Sequence, residues 1–122
     1  MEVVQLAKKS QTQVFPVLNL FSDENFRGRR RTFRGSVAVR DMERRFGFDG
    51  ESLRFFSTNP NATLVIFSDE NFRGSFRIIR GSQNLRDVED VESFVMANFR
   101  ISEAQVRRLQ RTKRLPSNFR VF

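Results

Sequence analysis

Eight residues, Phe21-Ser22-Asp23-Glu24-Asn25-Phe26-Arg27-Gly28, return unchanged 46 positions later as Phe67-Ser68-Asp69-Glu70-Asn71-Phe72-Arg73-Gly74. The same offset carries Arg34-Gly35-Ser36 onto Arg80-Gly81-Ser82, Arg40-Asp41 onto Arg86-Asp87, and Phe48 onto Phe94. It also places Ser52-Leu53-Arg54 on Asn98-Phe99-Arg100. A repeat of this length holds several short strands, and neither copy can bury its apolar face alone.

Within the first copy, β-rich segments at 17–21, 29–34, 37–39 and 52–56 are separated by turn residues. Asp41-Met42-Glu43-Arg44-Arg45-Phe46 reads as one helical turn stopped by Gly47. The second copy repeats the order at 63–67, 74–79, 83–85 and, by the fixed offset, 98–102. Short strands with frequent turns point to an all-β sandwich or barrel. The chain divides into an N-terminal arm at 1–13, a domain at 14–102 (first motif 14–58, second 61–102) and a basic extension at 103–122. In the extension, Val106 and Leu109 have helical spacing, Pro116 ends the run, and Asn118-Phe119-Arg120-Val121-Phe122 alternates like an edge strand.

Composition narrows the chemistry. There is no Cys and no His, which removes disulfides, thiolate metal sites and the commonest general base. The aromatic bulk is 15 Phe with no Tyr or Trp, filler that carries no polar end to satisfy. The net charge is +8, and only three of the 22 basic residues are Lys. Arg favours planar pairing with carboxylate or phosphate and stacking on rings. The paired carboxylates lie in turn segments, where solvated acids keep ordinary acidity, and the three Lys lie far from them. No catalytic residue is assigned, and a non-enzymatic chain is expected.

Each octet has an aromatic residue, four others, a second aromatic, one residue and glycine: Phe21 to Phe26 to Gly28, and Phe67 to Phe72 to Gly74. Such spacing describes a hairpin folded over its own sheet, with glycine in a backbone conformation that a Cβ disfavours. Together with Ser52 at the start of a fourth strand, the pattern resembles the βγ-crystallin Greek-key motif, over residues 17–102. Asn98 stands where the second motif has its Ser by the fixed offset. The resemblance implies a βγ-crystallin-like sandwich of two intercalated four-stranded Greek-key motifs, each lending a strand to the other's sheet.

It also implies where metal would bind. Microbial members of that family bind calcium between a loop preceding the fourth strand and a folded hairpin. The loops are taken as residues 47–52 and 93–98, and both lack the leading Asn/Asp pair. Glu51, with Asp69 and Glu70, is the remnant of a degenerate calcium site, so calcium binding is expected to be weak or lost and no other cofactor is implied. For the arginines, Arg29, Arg30, Arg31, Arg107, Arg108 and Arg111 are the candidates for polyanion binding. The role implied is structural or stress-related. The alternative is a basic module that binds an acidic partner: nucleic acid, anionic lipid or acidic protein. The terminal extensions are candidates for a dimer contact. No stretch reaches membrane-spanning length, no signal-peptide pattern opens the chain, and a cytoplasmic location is expected.

Overall fold

The computed structural model describes residues 15–122, so the N-terminal arm lies outside the described residues. The strands of the first motif are β1 (Val17–Asp23), β2 (Arg27–Arg34), β3 (Val37–Val39) and β4 (Ser52–Phe56). Those of the second are β5 (Thr63–Phe67), β6 (Phe76–Arg80), β7 (Gln83–Leu85) and β8 (Ser93–Ala97). A short helix α1 (Met42–Phe46) precedes β4, a longer helix α2 (Glu103–Thr112) follows β8, and β9 (Arg120–Val121) ends the chain.

The strands form two sheets, with orders β2-β1-β4-β7 and β6-β5-β8-β3-β9. Strand β3 of the first motif sits in the second sheet, and β7 of the second motif sits in the first. This is the exchange that intercalated Greek keys require. The motifs are also tied at their loops: Asn25 N–H donates to Arg86 O at 2.9 Å, and Asn71 N–H donates to Arg40 O at 2.6 Å.

Alternation decides what faces inward. In β1, Leu18 and Leu20 point between the sheets, opposite Phe33 of β2 and Phe55 and Leu53 of β4. Leu64, Ile66, Ile79, Phe94 and Met96 complete that core from the second sheet. Strands β5 and β8 differ from β1, because all five residues of each are buried. A continuous apolar strand is covered on both faces. The second cover is α2, whose Val106 and Leu109 join Val65, Phe67, Phe72, Val95 and Ala97 in an outer core. The corresponding outer positions of the first sheet, Asn19, Arg54 and Asn84, form one polar row and carry no helix among the described residues.

Local chemistry fixes both helices. Asp41 caps α1 by accepting from Arg44 N–H at 3.0 Å, and Gly47 closes it at φ 87°. Ser102 opens α2 with a reciprocal capping box to Gln105. The helix and the edge strand expected in the extension are both present, as α2 and β9. Strand β9 lies parallel to β3 and covers what would otherwise be a bare sheet edge.

One expectation from the repeat fails. The fourth strand of the second motif is Ser93–Ala97, not 98–102. The offset of 46 holds through Arg86-Asp87, but β4 begins at Ser52 and β8 at Ser93. The difference is the segment that holds α1, which exists only in the first motif. Asn98 lies beyond β8, exposed.

Candidate functional site

The two octets fold into near-identical hairpin locks. Phe21 meets Phe26 edge to face, with ring centroids 5.8 Å apart, and Phe67 meets Phe72 at 5.5 Å. To place the second ring, Asn25 and Phe26 adopt φ of 59° and 60°, and Asn71 and Phe72 adopt 57° and 61°. A bulky residue at positive φ is strained and persists only where its surroundings over-determine it. Those surroundings are a serine. Ser52 Oγ accepts from Phe26 N–H at 2.9 Å and donates to Asp23 O at 2.6 Å. Ser93 Oγ accepts from Phe72 N–H at 3.0 Å and donates to Asp69 O at 2.6 Å.

The second lock therefore belongs to Ser93, which replaces Asn98 in the role the fixed offset suggested. Asn98 instead accepts from Ser57 Oγ at 2.8 Å on the far side of the domain. Gly28 and Gly74 sit at φ of 83° and 80°. A Cβ on either would strike the Oγ of Ser22 or Ser68 and approach Asp23 or Asp69 to 2.8 Å. Those hydroxyls are already committed, accepting from Arg29 N–H at 2.8 Å and Ser75 N–H at 2.9 Å.

Ser93→Ala is expected to leave the Phe72 N–H and the Asp69 carbonyl unpaired in a buried site, at about 2–3 kcal/mol. Asn98→Ala, at an exposed position, is expected to cost roughly 1 kcal/mol or less. Urea melts of the two variants test the assignment, and the reverse order would restore the fixed offset.

The correction at Ser93 also moves the loop that precedes the fourth strand of the second motif. It becomes Val88-Glu89-Asp90-Val91-Glu92, which carries three carboxylates where the fixed offset placed none. It meets the first loop at the Gly50–Val91 bridge. The acids therefore sort differently from expectation. Burial first, then Asp90, Glu24, Asp23 and Asp87, raise the Glu51 carboxyl above its ordinary value. Burial first, then Asp49, Glu70, Asp69 and Asp90, raise that of Glu92. Asp69 and Glu70 thus contribute to raising Glu92, and Asp23 and Glu24 to raising Glu51. Asp49 is also raised, by burial and then by Glu43, and its Oδ1 is buried without a hydrogen-bond partner. Among the described residues no group of three or more carboxylates gathers as a metal cage. The acids share one field without converging on one point.

This field has a pH signature. A carboxyl raised on folding binds its proton more tightly in the native state than in the unfolded chain. Its ionisation costs native stability, which falls as pH climbs from the ordinary value of 4.5 through the raised one. Glu92→Gln is expected to raise the melting temperature at pH 7 and to change nothing below pH 4.5, a difference that paired thermal scans measure.

The arginines are held by rings more than by acids. Among the described residues one ion pair occurs, Arg107 with Glu103 at 3.1 Å. Arg31 lies 4.8 Å from the Phe46 ring centre, Arg45 lies 5.7 Å from that of Phe122, and Arg120 lies 5.2 Å from the same ring. Arg29 lies 5.3 Å from Phe48 and donates to Gly47 O at 2.6 Å. Strand alternation sends Arg30 to the other face, opposite Phe21. Arg107, Arg108 and Arg111 are exposed on α2, over the other sheet. The six candidates thus fall into Arg29 with Arg31, Arg30 alone, and the three of α2, and Arg45 and Arg120 join the first group. Sequence spacing does not bring these two beside Arg31; the Phe33–Phe46–Phe122 cluster does.

The chain matches no protein-family model and no curated protein. Its fold is shared with solved structures. A domain from work on the evolution of the eye-lens βγ-crystallin fold is 25% identical, with a TM-score of 0.55, covering 69% of this chain and 86% of that one. Spherulin 3A from Physarum polycephalum is 24% identical, with a TM-score of 0.54 over 70% of this chain and 86% of that one. A βγ-crystallin from Ciona intestinalis is 21% identical, with a TM-score of 0.50 over 65% and 95%. No described helix is long and apolar enough to cross a membrane. With two hairpin locks, two serines bridging them and a strand exchanged in each direction, the chain has the βγ-crystallin fold.

Proposed function

We propose that this is a non-enzymatic, structural or stress-related βγ-crystallin-like protein whose calcium affinity is weak or lost. One observation carries the reading: the aromatic, glycine and serine positions of the two hairpins are committed to holding the fold. The aromatic pairs pack on each other, the glycines admit the serine hydroxyls, and Ser52 and Ser93 are buried with donor and acceptor both used. Calcium takes six to eight oxygen ligands around one point. The loop acids here are spread along two crossing loops, with Phe48 and Val88 buried beside them.

Thermal scans with and without millimolar calcium test this. Binding to the native state raises apparent stability by RT ln(1 + [L]/Kd), so weak or absent affinity predicts a shift below about 2 °C. A rise of many degrees would overturn the reading.

A second reading is favoured by the scarcity of ion pairs among the described residues. Arginines stacked on Phe rather than neutralised by Asp or Glu leave a cationic surface able to dock an acidic partner, with nucleic acid as the probe. Binding of arbitrary duplex DNA that weakens steeply with salt supports this reading, and no binding at low salt eliminates it.

A further inference from the structure

We propose that the cleft between α2, the segment after it and the second sheet is a binding site for a small amphiphile with an anionic head, such as an alkyl or aryl carboxylate. The cleft holds about 480 Å³, within the range of roughly 300–1,000 Å³ typical of small-molecule sites. Its apolar wall comes from Val95, Phe99, Ile101, Leu109, Leu115 and Phe119. Phe99 is 42% exposed and meets Phe119 edge to face at 6.1 Å and 89°, so this aromatic corner opens to solvent. Two exposed arginines, Arg108 and Arg114, join Gln105, Thr112 and Pro116 in the rest of the lining, and no Asp or Glu does.

Charge and shape together select the ligand. Arg107 on the same helix is paired with Glu103. Among the described residues, Arg108 and Arg114 have no carboxylate partner. A guanidinium beside an apolar wall suits a head group that accepts planar, charge-assisted hydrogen bonds while its tail leaves water. A cationic amphiphile of equal length gains the apolar contact but meets repulsion at the head. No hairpin-lock residue lines the cleft, and the proposal does not rest on the proposed structural role.

Titration of the full chain with sodium decanoate below its micelle concentration, followed by amide chemical shifts, tests this. Saturable shifts confined to β8, residues 98–102, α2 and residues 113–119 are expected, with decyltrimethylammonium binding at least about tenfold more weakly. Arg108→Glu/Arg114→Glu, both at exposed positions, is expected to weaken decanoate by at least about tenfold at unchanged melting temperature. Thr112→Trp, which places a ring in the cleft, is expected to block it independently. The proposal is overturned by an absence of saturable shifts, by shifts elsewhere on the domain, by equal affinity for the two head groups, or by occupation of the cleft by a second copy of the chain in sedimentation.

Discussion

Phe72→Ala is expected to destabilise the protein by about 3–5 kcal/mol, whereas Phe26→Ala costs roughly 1–2 kcal/mol. The two residues hold the same place in the same octet, so the difference comes only from what lies above them. Phe72 is fully buried, joins the outer core under α2, and has Arg40 5.2 Å from its ring centre. Gln110 of α2 also donates to the Phe72 and Gly74 carbonyls, each at 3.0 Å. Phe26 is only half-buried, with Arg54 3.9 Å from its ring centre as its cover. Removing the first ring leaves a cavity that packed neighbours cannot close. Removing the second leaves a surface dent that water fills. Chemical denaturation of both variants measures the gap, and equal losses would mean that α2 does not seal the second hairpin.

The second large effect is expected at the helix itself. Val106→Ala/Leu109→Ala strips the two buried side chains that seat α2, at a combined cost of about 4 kcal/mol. The loss reaches further than the helix. Val65, Val95 and Ala97 would face water across the outer side of the second sheet, and an apolar sheet face of that kind promotes association. Exposed apolar surface reported by a hydrophobic dye should therefore rise in this variant before global unfolding. A variant that melts as the parent does, with no dye binding, would show that the extension is dispensable.

Much of the body was legible in the residues. Alternation in β1, the turn chemistry of the octets and the Asp41-to-Gly47 helical turn are local signals, and each appears where the pattern puts it. The strand exchange was not local. It came from the resemblance carried by the aromatic and glycine spacing. The misplacement of the second serine has a plain cause, because a fixed offset cannot register the α1 segment of one copy. A signal was present in Ser93-Phe94-Val95-Met96-Ala97, a serine opening an apolar run as Ser52 opens β4.

The docking of α2 left a trace too. Thr63-Leu64-Val65-Ile66-Phe67 is apolar on both faces, where Val17-Leu18-Asn19-Leu20-Phe21 interposes Asn19. A strand apolar on both faces needs two covers, and the extension supplies the second. The sorting of the charges was out of reach. Which acids share a field, and which arginines lie over a ring, depends on loops crossing from different motifs and on the reach of flexible side chains.

The account rests on two serines closing two back-folded hairpins. Nuclear Overhauser contacts of the Phe26 and Phe72 amides test it most directly. The Phe72 amide should show contacts to the β protons of Ser93 and none to Asn98, matched by contacts between the Phe26 amide and Ser52. A contact from Asn98 to the second hairpin, or a Phe72 amide that exchanges with solvent as freely as a loop amide, would contradict it.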